Sequence, residues 1–294
     1  MNTRALLLLT LLSLVPAPAL PQARPADDRL FAVVQNARYG YIDRTGKLAI
    51  PPQFDYAWSF TEDLGCVSLG GKYSYIDRTG KTAIPPQFER AWPFSEGLAL
   101  VSLGGKHGYI DKTGKTAIPP QFGRAWPFSE GLARVAVGPR GGYIDRTGKV
   151  VINPQFWGAG DFSEGLAPVA LRSRWGYIDR NGKVVINPQF WNAGGFSEGM
   201  APVIVKSGGK WGYIDTHGEV VIGPQFNRAW PFSEGLAPVE TSEGCGYIDI
   251  TGKMSIYAQF DRADPFSGGL ARVKIGRKYG YIDRNGKYIW NPTE

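Results

Sequence analysis

The chain has 294 residues, with 33 Lys and Arg against 26 Asp and Glu, a net charge of +7, and only two Cys and two His. So few thiols and imidazoles exclude a disulfide-dense scaffold and leave little for a His/Cys metal centre. There are 39 Gly and 22 Pro, yet 43% of residues are hydrophobic and 13% aromatic, too many for a disordered chain, so the composition is that of a folded protein with very many tight turns.

The N-terminus reads as an export signal. Arg4 precedes an apolar run over 5–15, broken only by Thr10 and Ser13, and then Pro16-Ala17-Pro18-Ala19. A charge, a short apolar core and an Ala-x-Ala site are the pattern of a cleaved leader. The run is far shorter than the roughly 20 residues that span a bilayer. The expectation is a signal peptide over 1–23, cleaved after Ala19 or after Ala23, a short linker over 24–29 and a repeat domain over 30–294. No Cys follows the run, so no lipid anchor is expected, and no later segment is apolar enough to span a membrane. The expected location is periplasm, cell surface or medium, where nucleic acid is not an expected partner.

The remainder is one repeat. Tyr-Ile-Asp recurs with Tyr at 41, 75, 109, 143, 177, 213, 247 and 281, at steps of 34 residues with a single step of 36. The longer step is explained by a turn that has gained two residues, Lys206-Ser207-Gly208-Gly209-Lys210. One unit, 166–199, reads as a short apolar strand, a turn, a second strand Trp175-Gly176-Tyr177-Ile178-Asp179, a tight turn, a third strand, and a fourth extended piece at 192–196. In the tight turn, Asp can accept from backbone amides two residues on, and Gly four positions into the turn supplies the left-handed residue of a three-residue hairpin loop. Helical periodicity is absent after the leader, so antiparallel hairpins are predicted throughout.

A 34-residue unit cannot bury enough surface alone and must lean on its neighbours. Four apolar rows recur in register, beginning at Ile42, Ile50, Phe54 and Phe60, the second ending in Trp290. The recurrent Gly before Tyr, replaced once by Ser74, is read as the place where a neighbouring ring packs. The last unit stops before any Gln-Phe segment, giving eight starts and one truncated finish. The fold class expected is all-β, a tandem array of eight antiparallel units. An open superhelical stack is favoured, because propeller blades usually run to about 40–50 residues. A closed propeller-like toroid is the alternative. Cys66 and Cys245 fall in the second and seventh units, too far apart in a stack to bridge, and are expected as buried or partly buried free thiols.

The copies of aromatic-Gly-Tyr-Ile-Asp-x-x-Gly-Lys-x-x-Ile-x-Pro-Gln-Phe, followed by Phe-Ser-Glu-Gly-Leu-Ala-x-Val, resemble the WG-containing (KWG) repeat family. Trp175-Gly176 and Lys210-Trp211-Gly212 show the naming dipeptide, while Tyr39, Tyr73, His107 and Tyr279 take the ring position elsewhere, and Gly141 and Cys245 replace it. The resemblance implies a β-rich bacterial repeat, often exported, of variable copy number. It implies no enzyme activity, no cofactor and no transferable functional residues.

Chemistry-bearing residues are themselves repeated, which argues against a unique active site. His107 occupies the ring position and His217 a turn, and the Ser of Ser-Glu-Gly lies outside any nucleophile-elbow context. No catalytic residue, metal or cofactor is therefore predicted. Two surfaces remain as binding candidates. Trp58, Trp92, Trp126 and Trp230 share one slot, which holds Gly160 and Gly194 in two units where Trp157 and Trp191 stand three positions earlier. That slot is either core or an exposed strip for glycan or peptide. Arg44/Lys47, Arg78/Lys81 and Lys112/Lys115 would line up as a basic edge, with the Ser-Glu-Gly turns as a separate acidic line. The function expected is a non-catalytic exported repeat protein presenting an extended surface to an envelope protein. The alternative is a glycan- or peptidoglycan-binding module using the Trp strip, or more generally capture of an anionic polymer. A hydrolase is the reading with the least support.

Overall fold

The structure, a computed structural model, describes residues 29–293. The expected signal peptide and most of the linker lie outside the described residues. Among the described residues the chain forms eight antiparallel sheets, one of three strands and seven of four. These are blades one to eight, at 31–54, 56–88, 90–122, 124–156, 158–190, 192–226, 228–260 and 262–293. Blade five shows the pattern: a short strand Gly158–Ala159, then Ala167–Leu171, Arg174–Ile178 and Val184–Phe190, each hydrogen-bonded to the next.

The ring closes. Phe31 and Val33 of blade one share a buried cluster with Leu270 and Tyr281 of blade eight. The Tyr281 hydroxyl donates to the Ala32 carbonyl at 2.8 Å, and Arg29 donates to Ser267 Oγ at 2.9 Å. An open stack forbids such contacts between its first and last units. The favoured superhelix is therefore corrected to the closed alternative, an eight-bladed β-propeller in which each blade turns roughly 45° from the last. Blade length misled because these blades economise on the short strand. It is two residues long in blade five, and likewise at Tyr56–Ala57 and Arg262–Ala263.

The phase of the repeat also differs from the expected unit. The fourth extended piece does not close its own unit. Asn192 and Ala193 pair with Ile204 and Val203, so the piece opens the following blade. The truncated C-terminal unit is thus a complete four-strand blade, and the blade short of a strand among the described residues is the first. The short strand lies at the inner edge of the ring. Asp264 and Pro265 of blade eight, Phe31 of blade one, Trp58 of blade two and Pro93 of blade three line one cavity. Blades three steps apart can meet only near the axis.

The core lies between blades, where the apolar rows meet. Leu132, Tyr143, Ile152 and Phe156 of blade four pack with Ala159, Phe162, Ala167, Val169 and Ile178 of blade five in one cluster. Tyr143 stacks on Phe162 at 4.8 Å, and its hydroxyl donates to the Gly160 carbonyl at 2.7 Å. The recurrent Gly before Tyr answers to backbone rather than to a neighbouring ring. A Cβ on Gly176 would stand 2.4 Å from the Ile186 carbonyl oxygen and 2.8 Å from Pro188 N. The outer strand bulges over this point, since Trp175 pairs with Phe190 and Tyr177 with Ile186. Pro188 sits in that bulge on the edge strand, where a missing N–H is tolerated.

Both turn motifs have a mechanism. In the Asp turn, Asp43 accepts from the Thr45 amide at 2.8 Å and the Thr45 hydroxyl at 2.6 Å, and Gly46 has φ of 86°. In the Ser-Glu-Gly turn, Glu130 and Gly131 both take positive φ, 53° and 77°, which is the type I′ hairpin turn. Cys66 and Cys245 are buried and free, in blades two and seven, as expected. No helix among the described residues is long and apolar enough to cross a membrane.

Candidate functional site

The Trp slot follows the inner strand, and its backbone holds the ring together. Trp58 N donates to the Cys66 carbonyl at 3.0 Å, and Trp92 N to the Leu100 carbonyl at 3.1 Å. The slot carbonyl accepts the Tyr hydroxyl of the preceding blade: Tyr41 to Trp58 at 2.9 Å, Tyr75 to Trp92 at 2.8 Å, Tyr109 to Trp126 at 2.7 Å and Tyr213 to Trp230 at 2.8 Å. Gly160, Gly194 and Asp264 accept in the same way, so the role belongs to the backbone and leaves the side chain free to vary.

Trp92, Trp126 and Trp230 are half-buried, neither core nor a bare strip. Trp58 is the most open, at 37% exposure, and meets Tyr56 edge-on at 5.5 Å, with Tyr39 at 5.1 Å from Tyr56. Trp92 packs on His107 at 5.7 Å. Trp126 lies under the Arg134 guanidinium at 3.7 Å, and Arg134 also pairs with Asp161 of blade five at 3.3 Å.

The basic residues do not form a line separate from the acidic turns. Lys112 of blade three lies 3.1 Å from Glu62 of blade two, and Arg146 of blade four 3.7 Å from Glu96 of blade three. Arg180 donates to the Glu130 carbonyl at 2.5 Å. Each such Glu also accepts from a Gly amide in the next blade: Glu62 from Gly97 at 3.0 Å and Glu96 from Gly131 at 2.9 Å. The two expected lines are therefore one interdigitated rim, because the Asp turn of each blade sits against the Ser-Glu-Gly turn of the blade before it. Arg78 pairs with Asp63 at 2.9 Å, while Arg44 lies against Gly269, where Gly268 stands in place of the Glu. Lys47, Lys81 and Lys115 are exposed, and each backbone amide donates to its turn Asp at 3.1 Å.

Two better-exposed rings were not among the expected site residues. Trp157 is 55% and Trp191 40% exposed, on the connections out of blades four and five. Arg140 stacks over Trp157 at 3.4 Å and Arg174 over Trp191 at 4.4 Å. In blade one the same two positions hold the ion pair Arg38–Asp55. The shifted Trp was visible in the sequence, but its Arg partner follows only from the bulged hairpin register. Among the described residues no group of three or more His, Cys, Asp or Glu could hold a metal ion.

Solved propellers share the fold at low identity. The chain is similar to BamB from Moraxella catarrhalis (12% identity, TM-score 0.51, covering 89% of this chain and 90% of that one). It is also similar to the dihydro-heme d1 dehydrogenase NirN (13%, 0.59, 95% and 77%) and to AztD from Citrobacter koseri (14%, 0.53, 88% and 93%). No curated protein sequence matches it. The profile of the WG containing repeat matches residues 39–73, 73–106, 108–138, 142–173, 175–211, 211–243 and 246–279, and the chain belongs to that family.

Proposed function

We propose that this protein is a non-catalytic binding propeller of the cell envelope, and that its contact patch for a partner protein is the pair Trp157/Arg140 and Trp191/Arg174. The observation that carries the reading is the stacking of Arg on two exposed Trp of successive blades. Tryptophan and arginine dominate the energetics of protein interfaces, and a guanidinium already stacked has less freedom to lose on binding. The Trp slot fits this role less well, since its carbonyls are engaged in holding blades together and the rings of Trp92 and Trp126 are covered by His107 and Arg134.

The test is capture from envelope extract by immobilised protein, scored by quantitative mass spectrometry. Wild type and Trp92→Ala are expected to retain the same partner. Trp157→Ala combined with Trp191→Ala is expected to lose it by tenfold or more, about 1.4 kcal/mol. Equal capture by the double variant overturns the assignment. Cosedimentation with purified cell wall, abolished by Trp58→Ala and unaffected by the double variant, would replace it with the glycan reading.

A further inference from the structure

The blades end in different turns on the two faces of the ring. In blade five the third strand, Arg174–Ile178, is joined to the fourth by the Asp turn and to the second, at its other end, by the hairpin at Arg172-Ser173. The Asp and Ser-Glu-Gly turns therefore share one face. The hairpins between second and third strands make the other, together with the connections that carry Trp157 and Trp191.

The two faces differ in charge. On the Asp-turn face Glu62 and Glu96 meet Lys112 and Arg146, and every blade adds its turn Asp. On the hairpin face the Tyr-Ile strand opens on a base in six blades: Arg38, Lys72, Lys106, Arg140, Arg174 and Lys278. Four inner strands also open on an exposed Arg, at 90, 124, 228 and 262. Against these stand five carboxylates among the described residues, Asp55, Glu89, Glu240, Glu243 and Asp261. Three of them are turned onto hairpin amides: Asp55 accepts from Gly70 at 2.7 Å, Glu89 from Gly104 and Gly105 at 3.1 Å, and Asp261 from Gly276. The positive excess of the chain thus gathers on the hairpin face.

The hairpin tips carry apolar side chains as well. Leu69, Leu103, Val137 and Ile275 end the second strands of blades two, three, four and eight, and are 49%, 36%, 61% and 44% exposed. Each faces a base across the turn, Leu103 opposite Lys106 and Val137 opposite Arg140 for example. Gly104 and Gly105 take φ of 58° and 69°, the type I′ turn, and a Cβ on either would meet nothing within 4 Å. The tips stand clear of the body of the ring.

We propose that this face docks on an anionic lipid bilayer through the tips of blades eight, one, two, three and four, with the bases at the headgroup phosphates and the four aliphatic side chains at the acyl boundary. Bases are drawn to a negatively charged leaflet, and apolar side chains beside them bury area there. Equivalent tips of a ring lie at one height, which suits a planar partner. An acidic polysaccharide would engage the bases and leave the aliphatics in water, and an acidic protein would present an unrepeated shape. Glu240 and Glu243 keep blade seven out of the contact. The inference goes beyond the partner reading: Trp157 and Trp191 continue the face past blade four, within reach of a partner held at the same membrane.

The test is flotation with vesicles, using the protein without residues 1–19, whose apolar run would itself enter lipid. It is expected to float with phosphatidylcholine vesicles containing about one third phosphatidylglycerol, not with phosphatidylcholine alone, and to be released as salt rises from about 0.1 to about 0.5 M. Lys72→Glu with Lys106→Glu is expected to weaken binding about thirtyfold or more, whereas Lys81→Glu with Lys115→Glu, the same change of net charge on the Asp-turn face, shifts it by less than about threefold. Leu103→Ser with Val137→Ser is expected to weaken it about tenfold. No flotation with anionic vesicles, or equal loss from the two Lys pairs, overturns the proposal. Undiminished binding after Leu103→Ser with Val137→Ser assigns the face to a charged polymer and overturns it too. Capture from extract that is lost with Lys72 and Lys106, while vesicles stay unbound, assigns it to an acidic protein. Vesicle binding and capture through Trp157 and Trp191 are separate readouts, so either reading can fail alone.

Discussion

Replacing Tyr177 by Phe isolates what one inter-blade hydroxyl contributes. Tyr177 is fully buried in blade five, and its hydroxyl donates to the Gly194 carbonyl of blade six at 2.9 Å. The ring stays, stacked on Phe196 at 4.8 Å and Phe190 at 6.4 Å, so no cavity opens. The loss is one hydrogen bond plus a carbonyl left short of its donor, about 1–2 kcal/mol. In a chain of this size that lowers Tm by about 2–8 °C. Denaturant unfolding followed by tryptophan fluorescence should shift its midpoint with an unchanged slope, since the exposed surface is the same. Tyr109→Phe and Tyr213→Phe touch no common partner and should add. A Tyr177→Phe protein within about 0.3 kcal/mol of wild type would refute the claim that the Tyr hydroxyls tie the blades together.

Further expectations follow from the same contacts. Glu130→Ala deprives the Gly165 amide of its acceptor at 3.0 Å and should cost about 1 kcal/mol, whereas Glu130→Gly also relieves the φ of 53° and should fall closer to wild type, both read by denaturant midpoint. Gly176→Ala should cost about 3 kcal/mol or more, because the new methyl meets the Ile186 carbonyl oxygen at 2.4 Å. The turn carboxyls Asp43, Asp77, Asp111, Asp145 and Asp249 are held below their ordinary pKa, first by the Thr hydroxyl two residues on and then by backbone amides. A carboxyl whose folded pKa is depressed stabilises the fold above its unfolded pKa of about 3.9 and ceases to as pH falls through the folded value. Thermal stability should therefore decline below about pH 4, and less steeply when the turn Thr are changed to Ala. Burial pushes the Cys66 thiol up to about 12, so alkylation at pH 8 should require unfolding.

Much of this molecule was legible in its sequence because repetition exposes what each position must do. The Asp turns and the buried Ile and Phe rows follow from residue type and spacing alone, whereas the free thiols, expected from distance along a stack, stay unpaired in the ring because blades two and seven are not adjacent. The rotation between blades does not, because Tyr143 stacked on Phe162 is the same contact in a straight stack and in a ring. Closure is visible only where unit eight meets unit one, in the Phe31–Tyr281 pair, and those residues look like ordinary members of their rows. The phase of the repeat was hidden for a similar reason: Asn192 and Ala193 follow one unit in the chain but hydrogen-bond to the next. The clasp between Lys112 and Glu62 spans fifty residues, more than one period, so reading a single unit could not reveal it. Trp157 stands out in the sequence as a shifted ring, but its pairing with Arg140 depends on the hairpin geometry.

The links between blades run one way round the ring, from Tyr to the next slot carbonyl and from Glu to the next Gly amide, and both are altered at the seam between blades eight and one. Tyr281 turns to Ala32, and Gly268 stands where the other blades place Glu. This makes Gly268→Glu a test of closure itself. Gly268 already has φ of 62°, close to the 53–56° at which Glu130 and Glu234 sit, so the new side chain enters a backbone built for it at a cost of about 1 kcal/mol. In a closed ring it faces Arg44, whose guanidinium lies against Gly269, as Glu96 faces Arg146. It also comes within reach of the Arg29 amide, as Glu96 does of Gly131. Two such charge-assisted contacts are worth about 2–3 kcal/mol at this half-exposed site, so the variant should be more stable by about 1 kcal/mol, and the gain should vanish in Arg44→Ala. In an open array the same Glu would meet only water, and the substitution would show nothing but the backbone penalty.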